Sequence, residues 1–216
     1  MSTVEFIFLG IILIALIFTS KIASKKKLEF KGSADKFLTA YKFEKVSSIS
    51  SELYRHGFSI FDLGEDELIE NILQKVNSSN ETYIFDYKYS ANNQAQQLST
   101  QRAVFIKFPN DLLYNFDLKP ESIYDKLKQA IGYEDIDFAE FKIFSSKYAL
   151  HSSDRNKIEK HFPHELMKVL ETKDGVFIES RRNCILIYNN EWHELSEHEP
   201  LYTEATKYKE LLLASI

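Results

Sequence analysis

The longest apolar run of the chain, residues 6–18, constrains the fold more than any other feature of the sequence. Between residues 4 and 20 the only charged side chain is that of Glu5. A stretch of this kind is at the short end of the length that crosses a bilayer as a helix. We therefore predict a transmembrane anchor at residues 1–22 that contacts the membrane bilayer through residues 4–20.

The charges that flank this run predict its orientation. Glu5 precedes the run, whereas lysines follow it at positions 21, 25, 26 and 27. A secretory signal has the opposite arrangement, with positive charge before the apolar stretch and a cleavage site after it. Because lysine is enriched in cytoplasmic flanks, we predict an uncleaved, single-pass protein of the cytoplasmic membrane. Its N-terminus is expected outside and its domain in the cytoplasm.

Charge is distributed unevenly along the rest of the chain. The formal net charge is -5 for the whole sequence and -8 for residues 32–216 alone. We assign residues 23–50 to a basic juxtamembrane stalk and residues 51–216 to the cytoplasmic domain. An acidic domain is repelled by nucleic acid. We therefore expect no nucleic-acid partner, and instead a membrane or cytosolic protein as the partner.

Two alternating stretches predict the centre of a sheet. Residues 83–89 (YIFDYKY) and 102–108 (RAVFIKF) alternate between two faces with the period of a strand. They predict neighbouring antiparallel strands, joined by an exposed, amide-rich loop at residues 90–101 that is either a binding loop or a solvated excursion. Residues 69–76 fit a helix by their apolar spacing and a strand by the NSSN turn that follows. Both readings stay open.

Helices and further strands are predicted after this hairpin. Apolar residues recur at helical spacing over residues 123–131, and residues 144–154 return to a strand pattern. Ser153 or Asp154 then caps a helix that is interrupted at Pro163. The remaining elements are a hairpin at residues 176–188 and a helix at residues 203–215. Strands in pairs with helices between them predict an α+β domain, built on an antiparallel sheet with helices packed on it.

Three segments in a fixed order resemble a known family. They are FDYKY at residues 85–89, FDLKPE at residues 116–121 and YEDIDFAEF at residues 133–141. In this order they resemble a family of uncharacterised bacterial proteins, often membrane-anchored, with F-D-Y-x-Y, F-x-L-x-P-E and D-I-D-F segments. The resemblance implies no catalytic roles, because the family has no established activity, and it favours a strand at residues 69–76. The loop after Tyr89 departs from the family, where it is basic and contains glycine.

The segment HFPHE contains the best candidates for metal binding. His161 and His164 are three residues apart, which places two imidazoles on one face of a helix, and Glu165 adds a carboxylate. Pro163 bends the chain between the two histidines and leaves their relative direction open. The candidates for a further ligand are His151 and Glu171.

Other chemical signatures do not fit the sequence. In WHELSEH, His193 and His198 are five residues apart, so on a helix they diverge by about 140° and do not chelate one ion. The six glycines are dispersed, and none forms a phosphate-binding loop. Cys184 alternates into a strand and is predicted to be buried. We therefore predict no catalytic residue and no cofactor.

Two hypotheses from different classes follow. The first is a membrane-anchored cytoplasmic domain that acts as a non-enzymatic interaction module, because tethering raises its effective concentration near a membrane-bound partner. The alternative is a metal-dependent hydrolase that uses His161, His164 and Glu165.

Overall fold

A computed structural model describes residues 21, 32, 34–90, 98–122, 135–190 and 198–215. The chain divides into two compact units, Met1–Lys42 and Phe43–Ile216. In the first unit, residues 34–41 are helical. Within the described ranges no helix combines the length and the apolarity that crossing a membrane requires. The anchor predicted at residues 1–22 lies outside the described residues except for Lys21, so it stays a prediction.

Eight strands form one antiparallel sheet in the described part of the second unit. The strands are β1 (Glu44–Lys45), β2 (Glu65–Val76), β3 (Glu81–Ser90), β4 (Leu98–Lys107), β5 (Phe116–Pro120), β6 (Tyr148–His151), β7 (Val176–Arg181) and β8 (Cys184–Asn189). Their order across the sheet is β1-β2-β3-β4-β8-β7-β5-β6. The sheet therefore begins within the segment assigned to the stalk, at Glu44.

The order of the strands follows from hairpins between strands that are consecutive in sequence and from pairings between distant strands. β3 and β4 pair along their whole length, as their alternation predicts. β7 and β8 pair through the two-residue turn Arg182–Asn183. β5 pairs with the distant β7, and the distant pairing of β4 with β8 joins the two halves of the sheet.

Five helices of the second unit lie within the described residues. They are α1 (Glu52–Arg55), α2 (Lys142–Lys147), α3 (Arg155–His161), α4 (His164–Glu171) and α5 (His198–Leu213). Asp154 caps α3, where its carboxylate accepts from the Lys157 N–H, and Pro163 separates α3 from α4 as predicted. The strand prediction for residues 144–154 is wrong in its first part, because α2 continues to Lys147 and β6 begins at Tyr148. A helix predicted at residues 123–131 lies outside the described residues.

Helices cover one face of the sheet, which we call the helix face. On it the Phe116 ring meets the Phe162 ring edge to face, with centroids 5.4 Å apart. The Tyr148 hydroxyl donates to the carbonyl of Lys173, at the end of α4, over 3.0 Å. Phe116, Tyr148 and Phe162 are 4%, 1% and 4% exposed, so their side chains belong to the core.

A short segment crosses the opposite face of the sheet. We call this segment, residues 52–62, the strap; it consists of α1 and the 3-10 turn Ser59–Asp62. Phe58 of the strap contacts Phe105 on β4, and Phe61 contacts Tyr87 on β3. Both contacts are edge to face, so the strap is fixed by aromatic packing.

Residues 69–76 belong to strand β2, which resolves the open alternative. The register of β2 against β3 shifts between Glu70 and Leu73, and Asn71 there has a φ of 52°. Such a left-handed residue is typical of a β-bulge, and asparagine tolerates it. The apolar spacing that resembles a helix is thus a bulged strand. Of the predicted loop at residues 90–101, residues 91–97 lie outside the described residues.

Candidate functional site

The structure places the predicted metal ligands around the junction of α3 and α4. The His161 ring stacks on the Tyr114 ring, with centroids 5.7 Å apart. The His164 ring packs against Phe141 at 5.0 Å. The Glu165 carboxylate binds the Lys168 ammonium on the next turn, at 2.6 Å. Each side chain therefore has its own neighbour.

No group of three or more His, Cys, Asp or Glu side chains in the described ranges is arranged to hold a metal ion. His151 and Glu171 are the residues that the sequence suggests as a further ligand. His151 lies on β6, and Glu171 is the last residue of α4. His193 lies outside the described residues, and His198 begins α5. The metal site at His161, His164 and Glu165 stays a prediction.

A buried ion pair crosses β3 and β4 on the helix face. Arg102 donates from Nε to Asp86 Oδ1 over 2.6 Å and from Nη2 to Asp86 Oδ2 over 2.8 Å. Asn71 in the bulge of β2 donates to the same Oδ2 over 2.7 Å. The side chains of Asp86 and Arg102 are 0% and 3% exposed. This network holds three strands in register.

His198 lies next to this ion pair at the start of α5. It is 8% exposed, and burial together with the positive charge of Arg102 lowers its pKa to about 4. The carboxylate of Asp86 opposes the shift and does not cancel it. His198 is therefore a neutral imidazole at physiological pH.

A second buried network joins the strap to the sheet through Glu179 on β7. The Glu179 carboxylate accepts from the Ser59 backbone N–H over 2.9 Å and from the Ser59 hydroxyl over 2.5 Å. The Tyr188 hydroxyl also donates to it, over 3.3 Å. Burial first, and then the nearby carboxylate of Asp117, raise the pKa of Glu179. Glu179 therefore holds the strap on the sheet while its ionised form is disfavoured.

The guanidinium of Arg181 connects Glu179 with the outer strands. Its Nη2 lies 2.7 Å from Asp117 Oδ1 and 3.7 Å from Glu179 Oε2. Nη1 donates to the carbonyls of Phe116 and Ser180 over 3.1 and 2.9 Å. With these partners the guanidinium is held in one position.

A polar cleft of about 220 Å³ opens beside Arg181, where β5, β6 and β7 lie side by side. We call it the Arg181 cleft. Its polar lining residues are Asn115, Asp117, His151, Ser152, Ser153 and Arg181. Asp117 pairs with His151 on β6 and with Glu179 on β7. One row across three strands therefore carries an imidazole and two carboxylates.

The neighbouring Asp135 closes the outer edge of β6. Its Oδ1 accepts from the N–H groups of Leu150 and Ile136, over 2.6 and 2.8 Å. Burial raises its pKa, and these hydrogen bonds oppose the rise. The Ile136 N–H also donates to the Leu150 carbonyl, so this part of the edge is already paired.

A second groove, of about 390 Å³, lies between α4 and α5. The Lys173 ammonium pairs with the Glu204 carboxylate across it, over 2.8 Å. The Tyr208 hydroxyl donates to the same carboxylate over 2.6 Å. These contacts tie the two helices together.

Sequence reasoning missed the residues of both buried networks and of the cleft. The sequence analysis gives Asp86 and Arg102 no role, although both lie in stretches that are predicted to be neighbouring strands. Ser59 and Glu179 carried no signal, because they are 120 residues apart in sequence. His151 was noted only as a further metal ligand, and the structure places it in the cleft instead.

Comparison with solved structures gives a fold neighbour. No protein-family model matches the sequence, and no curated protein matches it. The structure is similar to the crystal structure of the mycobacterial trehalose monomycolate transport factor A, TtfA. The TM-score is 0.57 at 8% sequence identity, and the match covers 86% of this chain and 93% of TtfA. At this identity the similarity establishes a shared fold and transfers no site residue.

Proposed function

We propose that this chain is a non-enzymatic interaction domain at the bacterial inner membrane, which binds a protein partner in a membrane transport system. The observation that carries the proposal is the fold shared with TtfA over 93% of that protein, which is a transport factor. The cargo named for TtfA is not transferred, since fold alone does not carry a ligand.

The structural role of the buried ionisable side chains supports this function. Asp86 and Arg102 hold β3 and β4 together, and Glu179 holds the strap. Polar side chains that serve this purpose make the domain rigid. A rigid domain loses little conformational freedom when a partner binds its surface.

The sequence supports placement at the membrane. Residues 4–20 have the apolarity of a span, and the lysines after it favour the cytoplasmic side. Tethering there raises the local concentration of the domain for any partner in the same membrane.

The partner is tested by crosslinking in cells that express the full chain, followed by purification in detergent. We expect the same integral membrane protein, or a protein bound to one, to be enriched in each replicate. A chain that lacks residues 1–22 is the matched control and should lose most of this enrichment. Recovery of no enriched protein with crosslinkers of several lengths contradicts the proposal.

The orientation is tested with green fluorescent protein and alkaline phosphatase, each fused after Ile216. Fluorescence without phosphatase activity is expected, because the domain is proposed to lie in the cytoplasm. Phosphatase activity without fluorescence overturns the orientation and places the domain in the envelope.

A further inference from the structure

The Arg181 cleft has the construction of a small ligand site, because its polar side chains are held in place by the protein itself. Ser152 donates to the Asn115 carbonyl over 2.6 Å and accepts from the Asp154 N–H. The Asn115 side-chain oxygen accepts from the Arg182 N–H over 2.9 Å. Arg181 is fixed by two carbonyls. Side chains that are ordered before binding cost a ligand less conformational entropy.

The charges in the cleft nearly balance, which limits the kind of ligand. An anion would meet the carboxylate of Asp117, which lies 2.7 Å from the guanidinium of Arg181. A cation would meet that guanidinium. Like charges at such distances disfavour both kinds of ligand.

A neutral ligand with several hydroxyl groups matches the groups that remain. The Asp117 side chain is 32% exposed and offers acceptor lone pairs beyond its contact with Arg181. Ser153 at the mouth is exposed and has a hydroxyl that donates and accepts. A hydroxyl group is itself donor and acceptor, so it can use both kinds of partner.

We propose that the Arg181 cleft binds a neutral polyhydroxylated ligand about the size of one sugar ring. The volume of about 220 Å³ suits a ligand of this size. Two sources share this chemistry, a free sugar and the sugar headgroup of a glycolipid. The inference goes beyond the proposed function and does not depend on a protein partner.

Arg181 also connects the cleft with the strap. Its Nε donates to the His56 carbonyl over 3.4 Å, and its guanidinium lies 5.3 Å from the centre of the Phe58 ring. A ligand hydroxyl that donates to the Asp117 carboxylate withdraws negative charge from it and so weakens its ion pair with Arg181. Occupancy of the cleft therefore changes the backbone protection of residues 56–59 as well as that of the lining segments.

The site is tested with the full chain in detergent by saturation-transfer NMR and hydrogen exchange. The probes are glucose, galactose and mannose, with sodium phosphate and methylammonium as charged comparisons. We expect saturable binding of at least one sugar, with new protection at residues 115–117 and 151–153. Protection only elsewhere, or tighter binding of either charged probe, overturns the proposal, whereas no saturable binding of any sugar excludes a free sugar as the ligand.

Variants locate the binding in the cleft. Asp117→Asn keeps the size of the side chain and removes its charge, and we expect at least a tenfold loss of sugar affinity. His151→Gln changes a second lining residue of the cleft, and we expect it to lower the sugar affinity as well. Asp111→Asn is the matched control, since Asp111 pairs with Arg182 on the surface and should leave affinity unchanged. Equal affinity of all variants, with thermal unfolding unaltered, contradicts the assignment.

The source of the ligand is separated by hydrogen exchange in lipid nanodiscs. If free sugar protects residues 115–117 when the nanodisc contains only phospholipid, the ligand is a soluble sugar. Protection that appears only when the nanodisc contains a glycolipid indicates a headgroup. Protection in neither arm overturns the proposal, while the crosslinking experiment on the protein partner remains independent of this result.

Discussion

Arg102 and Asp86 lie opposite each other on β4 and β3 and are joined by two hydrogen bonds, of 2.6 and 2.8 Å, in the interior of the domain. A slip of β4 by one residue against β3 would move Arg102 to the other face of the sheet. The carboxylate would then be buried without its partner, which is strongly unfavourable. The pair therefore specifies the register of the hairpin of β3 and β4.

Replacement of Arg102 by methionine tests this relationship. The variant leaves the Asp86 carboxylate buried with only Asn71 as a hydrogen-bond donor, so we expect a loss of about 3–5 kcal/mol in the free energy of unfolding. Urea denaturation followed by circular dichroism measures it. Lys168→Met removes an exposed ion pair and should cost less than about 1 kcal/mol. Similar losses in the two variants would contradict a special role for the buried pair.

Ser59→Ala tests the attachment of the strap. The variant removes the hydroxyl that donates to Glu179 and keeps the backbone N–H, so we expect to lose about 1–3 kcal/mol in unfolding free energy. Because the lost hydrogen bond favours the ionised carboxylate, the pKa of Glu179 rises further. The deficit should therefore grow as the pH rises and Glu179 ionises. A deficit independent of pH between 4 and 8 would show that Glu179 is not the partner that matters.

The pH dependence of stability tests the environment of His198. Its pKa is about 4 in the folded protein and about 6.5 in the unfolded chain, so the unfolded state binds more protons between these values. Stability is therefore expected to fall as the pH decreases from 6.5 towards 4. His198→Gln should flatten this part of the curve, measured as urea midpoints at successive pH values. An unchanged slope in the variant would assign the effect to another group.

Substitutions at Ser153 and Asp154 test which of the two residues caps α3. Asp154→Ala removes the side chain that accepts from the Lys157 N–H, and we expect a loss of about 0.5–1 kcal/mol. Ser153→Ala is the matched control and should change unfolding free energy by less than about 0.5 kcal/mol. The reverse order would mean that Ser153 is the functional cap.

The metal hypothesis is tested by elemental analysis of the purified full chain. Because His161 packs on Tyr114 and His164 on Phe141, we expect zinc and manganese well below one equivalent. One equivalent of metal that is lost in His161→Ala and kept in His56→Ala would instead favour the metal-dependent hydrolase. In that case hydrolase substrates become the next screen.

The strands of the sheet were predictable where their pattern is local. The alternation of residues 83–89 and 102–108 indicates two strands, and the structure pairs them as β3 and β4. Strand β2 is hard to recognise from the sequence because of the bulge at Asn71. One inserted residue there turns an alternating apolar pattern into an apparently helical one. For α2, the short helix before Tyr148 lacks a capping signal, since Phe141 at its start makes no side-chain cap.

The networks and the cleft were not predictable for a different reason. The row of His151, Asp117 and Glu179 exists only because β6 and β7 lie on either side of β5. Nothing in the spacing of these residues along the chain indicates that order of strands. A side chain that functions through partners on other strands becomes visible only once the topology is known.

The pairing of β4 with β8 has a consequence for folding during synthesis on the ribosome. β4 ends at Lys107, and β8 begins only at Cys184, so the hairpin of β3 and β4 leaves the exit tunnel long before its neighbour exists. At about 5–20 residues per second, that interval lasts several seconds. During it an apolar strand edge is available to other nascent chains. Slow translation between these strands, or a shortage of chaperones, should therefore reduce the yield of folded protein.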